Sequence, residues 1–509
     1  MRQGEVVDSA RSPPFRSHYL RLPNHCLDLT CCFLAPQSAG SRARSLFDRM
    51  SERQSAKKPA TPAGADADDP FAALPDAILQ HILSFLPAQP AVRTCVLARR
   101  WRRLWEGAPG LRITAANAPE PPCAPDDLVS SGELREFVDH LLLLRGGAPL
   151  DSCEFMFDVR ADADVPHVNL WIRHVIRCQL RRLELSITRE NDVRGLRFHV
   201  DNLPLVSRHL RRLELYDTES NDSFLDFSGC PGLEELEINN GGFIRAKRIS
   251  SKSVKWLSVI DCSFNDRFRT RIDVPSLISL QLDDPWDRTP VLGSMPLLVA
   301  ASVRLDTGCV MSLDWCDTSD SGDCDDENCP GCYGLEGDYR TANGTNKNRS
   351  VLLNGLSEAS SLVLTDDSKA QKFIFKRDVK WCPIFRKLKT LVLNDYWCVP
   401  PDFRELACLL EHSPVLEKLT IQMFSKGPEH EVQINGSYSP MEGSAAISEN
   451  LKIVEVKCEV VDKGVLKVLD FLQTLNIDFN FEDEEEVLAK DGPTTAINCI
   501  KKWKGLSLL

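Results

Sequence analysis

From Leu180 onward the chain repeats one short hydrophobic pattern, L-x-x-L-x-[LIV], in which two apolar residues flank a single residue that is polar in most units. LRRLEL at Leu180 and at Leu210, LEELEI at Leu233, VKWLSV at Val254, LISLQL at Leu277 and a weaker LVAASV at Leu298 stand 21 to 30 residues apart. After a gap of 61 residues from Leu298 the pattern resumes with ASSLVL at Ala359, LKTLVL at Leu388, LEKLTI at Leu416 and LKIVEV at Leu451. Apolar residues two apart lie on one side of an extended strand, and the residue between them lies on the other. An amphipathic helix would hold apolar residues at i, i+3, i+4 and i+7 over three turns. These runs are shorter and stop at Asp, Asn or Thr. The pattern predicts short strands, and its recurrence predicts stacked units, none of which covers its own apolar face alone. Glu184, Glu214, Glu237, Ser258 and Gln281 fall between the inward pairs. They are expected to face outward and to carry whatever binding specificity the stack has.

A denser pattern precedes the repeats. Leu74 to Pro109 reads LPDAILQHILSFLPAQPAVRTCVLARRWRRLWEGAP. Pro75 suits the first turn of a helix, where its missing N–H is not needed, and Pro87 predicts the end of that helix after three turns. Ile78, Ile82 and Phe85 make one stripe, with Leu79, Leu83 and Leu86 beside it. Such a helix is apolar around most of its girth, more than one packing partner covers. A second helix is predicted from about Ala91, through Val92, Cys95 and Val96, to Trp101, Leu104 and Trp105 among Arg99, Arg100, Arg102 and Arg103. Two Trp four residues apart share a helix face, and aromatics beside Arg commonly dominate interface energetics. A core helix with snorkelling Arg stems accounts for the same residues. Near the C-terminus, Val465, Val468, Leu469 and Leu472 have helical spacing, while Leu475, Ile477, Phe479 and Phe481 alternate as in a strand.

The six-residue units resemble leucine-rich repeats (LRR), in which each strand joins a parallel sheet and a helix or irregular turn closes the outer side. The repeat position often held by Asn or Cys is Cys262 in one unit but Thr188, Thr218, Pro285 and Tyr396 in others, so an irregular solenoid is expected. Leu-Pro, I-L-x-x-I-L-S-F-L-P and V-L-x-x-R-W-x-x-L-W across Leu74 to Pro109 resemble the F-box of plant F-box/LRR proteins. The usual Ser-Lys-Arg-Trp is here Ala98, Arg99, Arg100 and Trp101. LLEHSPVLEKLTI, LKIVEVKCE and the last helix and strand resemble the FBD region that closes many such proteins. The resemblance implies an α/β fold: an N-terminal three-helix F-box, an irregular LRR solenoid with a parallel sheet, and a C-terminal FBD-like cap. It further implies that Leu74, Pro75, Ile78, Leu79, Ile82, Leu83, Val96, Leu97, Trp101 and Trp105 belong to a module that binds a Skp-type adaptor. That adaptor joins a cullin, which positions a RING subunit and a ubiquitin-loaded enzyme. The chain would then be a non-catalytic substrate-recognition subunit of an SCF-type ubiquitin ligase, holding a protein target on the concave LRR face. A second reading is an F-box/LRR scaffold that supports no ubiquitination.

At 509 residues, 43% apolar and 26% charged, the chain has room for two or three domains. We assign 1–70 to a disordered leader, 71–112 to the F-box, 113–130 to a linker, 131–400 to the repeats, and 401–509 to terminal repeats and cap. The Arg-rich start resembles a transit peptide in composition without an amphipathic period, and Met50 is a second candidate start. A net charge of −12 argues against a nucleic-acid partner, and no apolar run approaches membrane-spanning length. The expected compartment is the cytoplasm, the nucleus or both. Nineteen scattered Cys are read as reduced thiols. The gap in the repeats holds an acidic, Gly-rich insertion (314–350) with Cys316, Cys324, Cys329 and Cys332. One C-x-x-C pair without His makes these weak zinc ligands, so a solvated loop is the expectation and zinc binding the alternative. No cofactor is expected, and no motif of hydrolase, metalloprotease, P-loop or dinucleotide enzymes is present.

Overall fold

In the computed structural model every repeat unit contributes one strand to a single parallel sheet. The structure describes residues 71, 73–114, 131–159, 162–189, 197–265, 268–305, 350–366, 373–379, 381–398, 403–423, 449–458 and 463–474. In chain order the strands are β1 (Gly110–Thr114), β2 (Ser152–Val159), β3 (Arg182–Arg189), β4 (Phe198–His199), β5 (Arg212–Tyr216), β6 (Thr218–Asn221), β7 (Glu235–Asn239), β8 (Gly242–Arg245) and β9 (Arg248–Ser250). They continue with β10 (Trp256–Ile260), β11 (Arg271–Asp273), β12 (Ser279–Asp283), β13 (Val291–Leu292), β14 (Ala300–Arg304), β15 (Ser361–Thr365), β16 (Thr390–Asn394), β17 (Lys418–Met423) and β18 (Ile453–Cys458). The main sheet has twelve strands in the order β1-β2-β3-β5-β7-β10-β12-β14-β15-β16-β17-β18. Strand order follows sequence order without inversion, the topology that stacked repeats generate. Two three-stranded sheets, β4-β6-β8 and β9-β11-β13, flank the middle of the array.

The period of two decides what is buried. Leu183 and Leu185, Leu213 and Leu215, Leu391 and Leu393, and Leu419 and Ile421 are all fully buried. Full burial of such a side chain is worth about 1.5–3 kcal/mol. The polar residue after the strand also has a task. Asp217, Asn240, Asp261 and Asp284 directly follow β5, β7, β10 and β12, and all four have φ between 50° and 55°. Asp and Asn tolerate this left-handed conformation better than other non-glycine residues, so they turn the chain out of the main sheet in four successive units.

The array is longer than the motif. β1 and β2 continue the sheet before Leu180, with Leu111 opposite Cys153 and Cys153 opposite Leu183, then Ile113 opposite Phe155 and Phe155 opposite Leu185. In β2, Cys153 and Phe155 stand where the motif places aliphatic residues, and before β1 Ala108 stands where it places the leading Leu, so the pattern misses both units. The insertion leaves no mark on the sheet: β14 and β15 pair directly, Ala300 with Ser361 through Arg304 with Thr365. Residues 306–349 lie outside the described set.

Helices α1 (Asp76–Leu83) and α2 (Ala88–Arg93) form the N-terminal module. Helices α3 (Ser131–Arg145) and α4 (Val165–Arg177) cross between the first strands, α5 (Phe373–Val379) and α6 (Arg404–Glu411) between the later ones, and α7 (Lys463–Thr474) follows β18. Two expectations need correction. α1 stops at Leu83 rather than at Pro87, because its last turn tightens: Ser84, Phe85 and Leu86 each donate a backbone bond to the residue three before, and the Ser84 hydroxyl donates to His81 O at 2.6 Å. The predicted second helix is broken as well. After α2 comes a 3-10 turn (Thr94–Val96), then Ala98 in extended conformation, then a 3-10 segment (Arg99–Gly107). Tertiary contacts win over helical continuity here: the break lets Trp101 pack edge-on against Phe71, with centroids 5.6 Å apart. It also lets Arg100 bind Asp76 at 2.7 Å and the carbonyls of Phe71 and Leu74. Residues 1–70, 115–130 and 475–509, which hold the predicted leader, the rest of the predicted linker and the last strand, lie outside the described set. Residues 113 and 114, assigned to the linker (113–130), belong to β1 because their backbone pairs with β2. No helix among the described residues is long and apolar enough to cross a membrane.

Candidate docking surfaces

The N-terminal module separates the two stripes of its first helix. Leu79 and Leu83 are 0% and 2% exposed, while Ile78, Ile82 and Phe85 are 46%, 39% and 62% exposed. Val96 and Leu97, at the end of the first 3-10 turn, are also open, at 77% and 67%. Of the other residues singled out from the sequence, Trp101 and Trp105 are buried, Leu74 is half-buried and Pro75 is exposed. The structure therefore divides that set: the tryptophans, Leu79 and Leu83 hold the module together, and Ile78, Ile82, Val96 and Leu97 face solvent. Phe85 and Leu86 join the exposed side, although the motif alone did not select them.

The module is fixed to the sheet. Pro87 bridges Arg112 in β1, and Arg112 donates to Phe85 O at 3.1 Å while pairing with Glu154 at 2.6 Å. A Cβ on Gly110 would stand 2.8 Å from Ser84 Cβ, so glycine permits this close approach. The buried Arg145 of α3 donates to Trp105 O and Ala108 O, both at 2.9 Å. Desolvation lowers the pKa of its guanidinium.

The second surface is the outward row of the sheet. Arg112, Glu154, Glu184, Glu214, Glu237, Ser258 and Gln281 are cross-strand neighbours in register. All five outward residues chosen from the sequence thus share one line. Four consecutive glutamates about 4.8 Å apart repel one another. Burial first, and then Glu154 and Glu214, push the Glu184 carboxyl above the usual glutamate range, with Arg112 opposing. Arg212 relieves the row by binding Glu214, Glu235 at 2.6 Å and Glu237 at 3.7 Å. The Tyr216 hydroxyl meets Glu237 at 3.2 Å, and burial, then the charges of Glu237 and Glu214, push its pKa up. Beside this cluster lies a cavity of about 170 Å³ lined in part by Arg212, Glu237, Trp256, Ser258 and Gln281. Further along, the row becomes Ser302, Val363, Val392, Thr420 and Glu455. Burial works against charge on Glu455, but Lys418 at 2.9 Å and Thr420 outweigh it and hold the carboxyl below the usual range.

The cysteines proposed as weak zinc ligands, Cys316, Cys324, Cys329 and Cys332, lie outside the described residues. Among the described residues a different group, Cys382, Cys408 and His412, brings three ligand atoms within 4.8 Å of one another. Its only sequence signal is Cys408 and His412 at i, i+4; Cys382 joins them through the fold.

Residues 71–110 match the family model of the F-box domain. An F-box/FBD/LRR-repeat protein of Arabidopsis thaliana is 28% identical over 270 residues, 47% of this chain and 61% of that protein. An F-box/LRR-repeat protein of the same plant is 27% identical over 248 residues, 42% of this chain and 46% of its own length. A further F-box/FBD/LRR-repeat protein is 24% identical over 420 residues, 76% of this chain and 83% of its own length. The chain thus spans less than two thirds of the first two relatives. Residues 71–110 are an F-box domain, and the chain is similar to plant F-box/LRR-repeat proteins, some of them with an FBD region.

Proposed function

We propose that the chain is the substrate-recognition subunit of an SCF-type ubiquitin ligase. Its F-box binds a Skp-type adaptor, and through it a cullin, while the outward row of the sheet holds a protein target. The supporting observation is the exposed apolar set Ile78, Ile82, Phe85, Leu86, Val96 and Leu97 in an F-box whose own core is closed by Leu79, Leu83, Trp101 and Trp105. Apolar groups left in water beside a finished core mark an interaction site. In this reading the chain is not catalytic. It raises the local concentration of target lysines near the ubiquitin-loaded enzyme, and it acts in the cytoplasm, the nucleus or both.

The test is co-purification of the full chain with a Skp-type adaptor, for wild type and for Ile78→Asp/Leu97→Asp. Both positions are exposed, so the variant should fold. Binding by wild type and its loss in the variant support the proposal; equal binding, or binding by neither, refutes it. Ubiquitination of a captured target in the reconstituted complex then separates a ligase subunit from a scaffold.

A further inference from the structure

We propose that Cys382, Cys408 and His412 form a site for a thiophilic divalent cation of the zinc type, with two thiolates, one imidazole and a fourth position open to water or an outside ligand. The site joins two successive units of the array. Cys408 lies on α6 and His412 caps its C-terminal end, so the two share one face of the helix. Cys382 comes from the turn after α5, where its N–H donates to Val379 O at 3.2 Å. The next residues run alongside the end of α6, with Phe385 N–H donating to His412 O at 2.8 Å.

Geometry and access both fit. Tetrahedral zinc with bonds of about 2.3 Å to sulfur and 2.0–2.1 Å to nitrogen places its ligand atoms about 3.5–3.8 Å apart. Cys408 Sγ lies 3.7 Å from His412 Nδ1, and the three ligand atoms fall within 4.8 Å of one another without a metal. Among the described cysteines seven are buried, and Cys382 and Cys408 are the two that are partly open. The thiols are weakly engaged otherwise: their nearest backbone acceptors, Pro383 O and Val379 O, are each 3.7 Å away. His412 Nδ1 lies 2.8 Å from Cys408 O, so binding through that nitrogen exchanges a bond at the helix end for a metal bond. Binding breaks two S–H bonds, releases their protons to solvent, and forms two metal–sulfur bonds and one metal–nitrogen bond. No electrons are transferred. Donor softness favours zinc, or cobalt as its spectroscopic substitute, over magnesium or calcium.

The test titrates cobalt(II) into the reduced full chain carrying serine at Cys316, Cys324, Cys329 and Cys332, which removes the thiols of the insertion. The expected result is one equivalent bound, with a sulfur-to-cobalt charge-transfer band and the intense visible bands of a tetrahedral site, both abolished by added zinc. Cys382→Ser, Cys408→Ser and His412→Gln should each weaken binding at least tenfold, while the exposed His209→Gln leaves it unchanged. Circular dichroism and Skp-adaptor binding of each variant establish that it is folded, and neither readout depends on this site. Absence of a thiolate–cobalt band in the reduced protein overturns the proposal. So does a band that persists in Cys408→Ser and His412→Gln, or a Cys382–Cys408 disulfide in the purified protein with no metal uptake after reduction.

Discussion

The F-box and the repeat array differ in how they place apolar and charged groups. The F-box leaves large apolar side chains in water, with Val96 and Leu97 more than two-thirds exposed. The array takes a charged side chain inside, Asp378 at 0% exposed, and on its outward row covers Glu455 and Glu214 until they are 7% and 8% exposed. Each of these three carboxylates has partners. Asp378 accepts from the backbone N–H groups of Val351, Leu352 and Leu353 and from the Ser350 hydroxyl, all within 3.0 Å. Glu455 has Lys418, and Glu214 has Arg212. A buried charge must be satisfied within the fold, whereas an exposed apolar stripe can be completed by another molecule. The F-box gathers its exposed apolar residues between Ile78 and Leu97, whereas those of the array, such as Leu143, Leu170 and Leu297, are spread along its length.

This contrast can be broken by substitution. The largest effect is expected at Asp378. Replacing it by Ala strips three backbone donors and a hydroxyl of their acceptor at once and should cost about 3–5 kcal/mol of stability. Urea unfolding measures this, and a loss below 1 kcal/mol would mean that water replaces the carboxylate. Next is Leu83→Ala on the buried stripe of α1, expected to cost about 2–5 kcal/mol as a cavity. Its exposed neighbour Ile82→Asp should do the reverse, leaving the thermal midpoint near wild type while weakening adaptor binding about 100-fold. Calorimetry on both variants decides whether the two stripes divide the work as their burial indicates.

The smallest effect belongs to the glutamate row. The folded pKa of Glu184 is raised, so the native state holds its proton over a window in which the unfolded chain has lost it, and stability from this group falls as pH rises through that window. Glu184→Gln should stabilise the protein by a few tenths of a kcal/mol at pH 7, with the gain vanishing below the ordinary glutamate value of 4.5. Thermal midpoints of both proteins across pH 4 to 7 provide the measurement. A constant difference would show that side-chain packing, rather than charge, is responsible.

Much of this architecture was legible in sequence. All ten repeat units became neighbouring strands, and the five outward residues chosen between the inward pairs fell on one row. Period-two alternation is a property of each strand by itself, so local spacing is sufficient to read it. The F-box motif was equally plain, and Val465, Val468 and Leu472 of α7 are buried as their helical spacing predicts, while Leu469 of the same set is half-buried. Of the two early strands, β2 escaped because Cys153 and Phe155 fill its inward positions, and β1 because Ala108 stands in place of the leading leucine.

By itself, then, the sequence determined the strand-forming units, their inward and outward faces, and an N-terminal module too apolar to stand alone. Only the tertiary structure decided which stripe of α1 is covered, since Ile78 and Leu79 are both apolar and what differs is the neighbour each one meets. The break at Ala98 likewise rests on Trp101 finding Phe71 and Arg100 finding Asp76, contacts made across 24 or more residues. The pairing of β14 with β15 across the insertion and the meeting of Cys382 with Cys408 and His412 have the same origin. Spacing along the chain sets which side a residue faces, but proximity between distant segments arises only when their apolar faces are buried against one another.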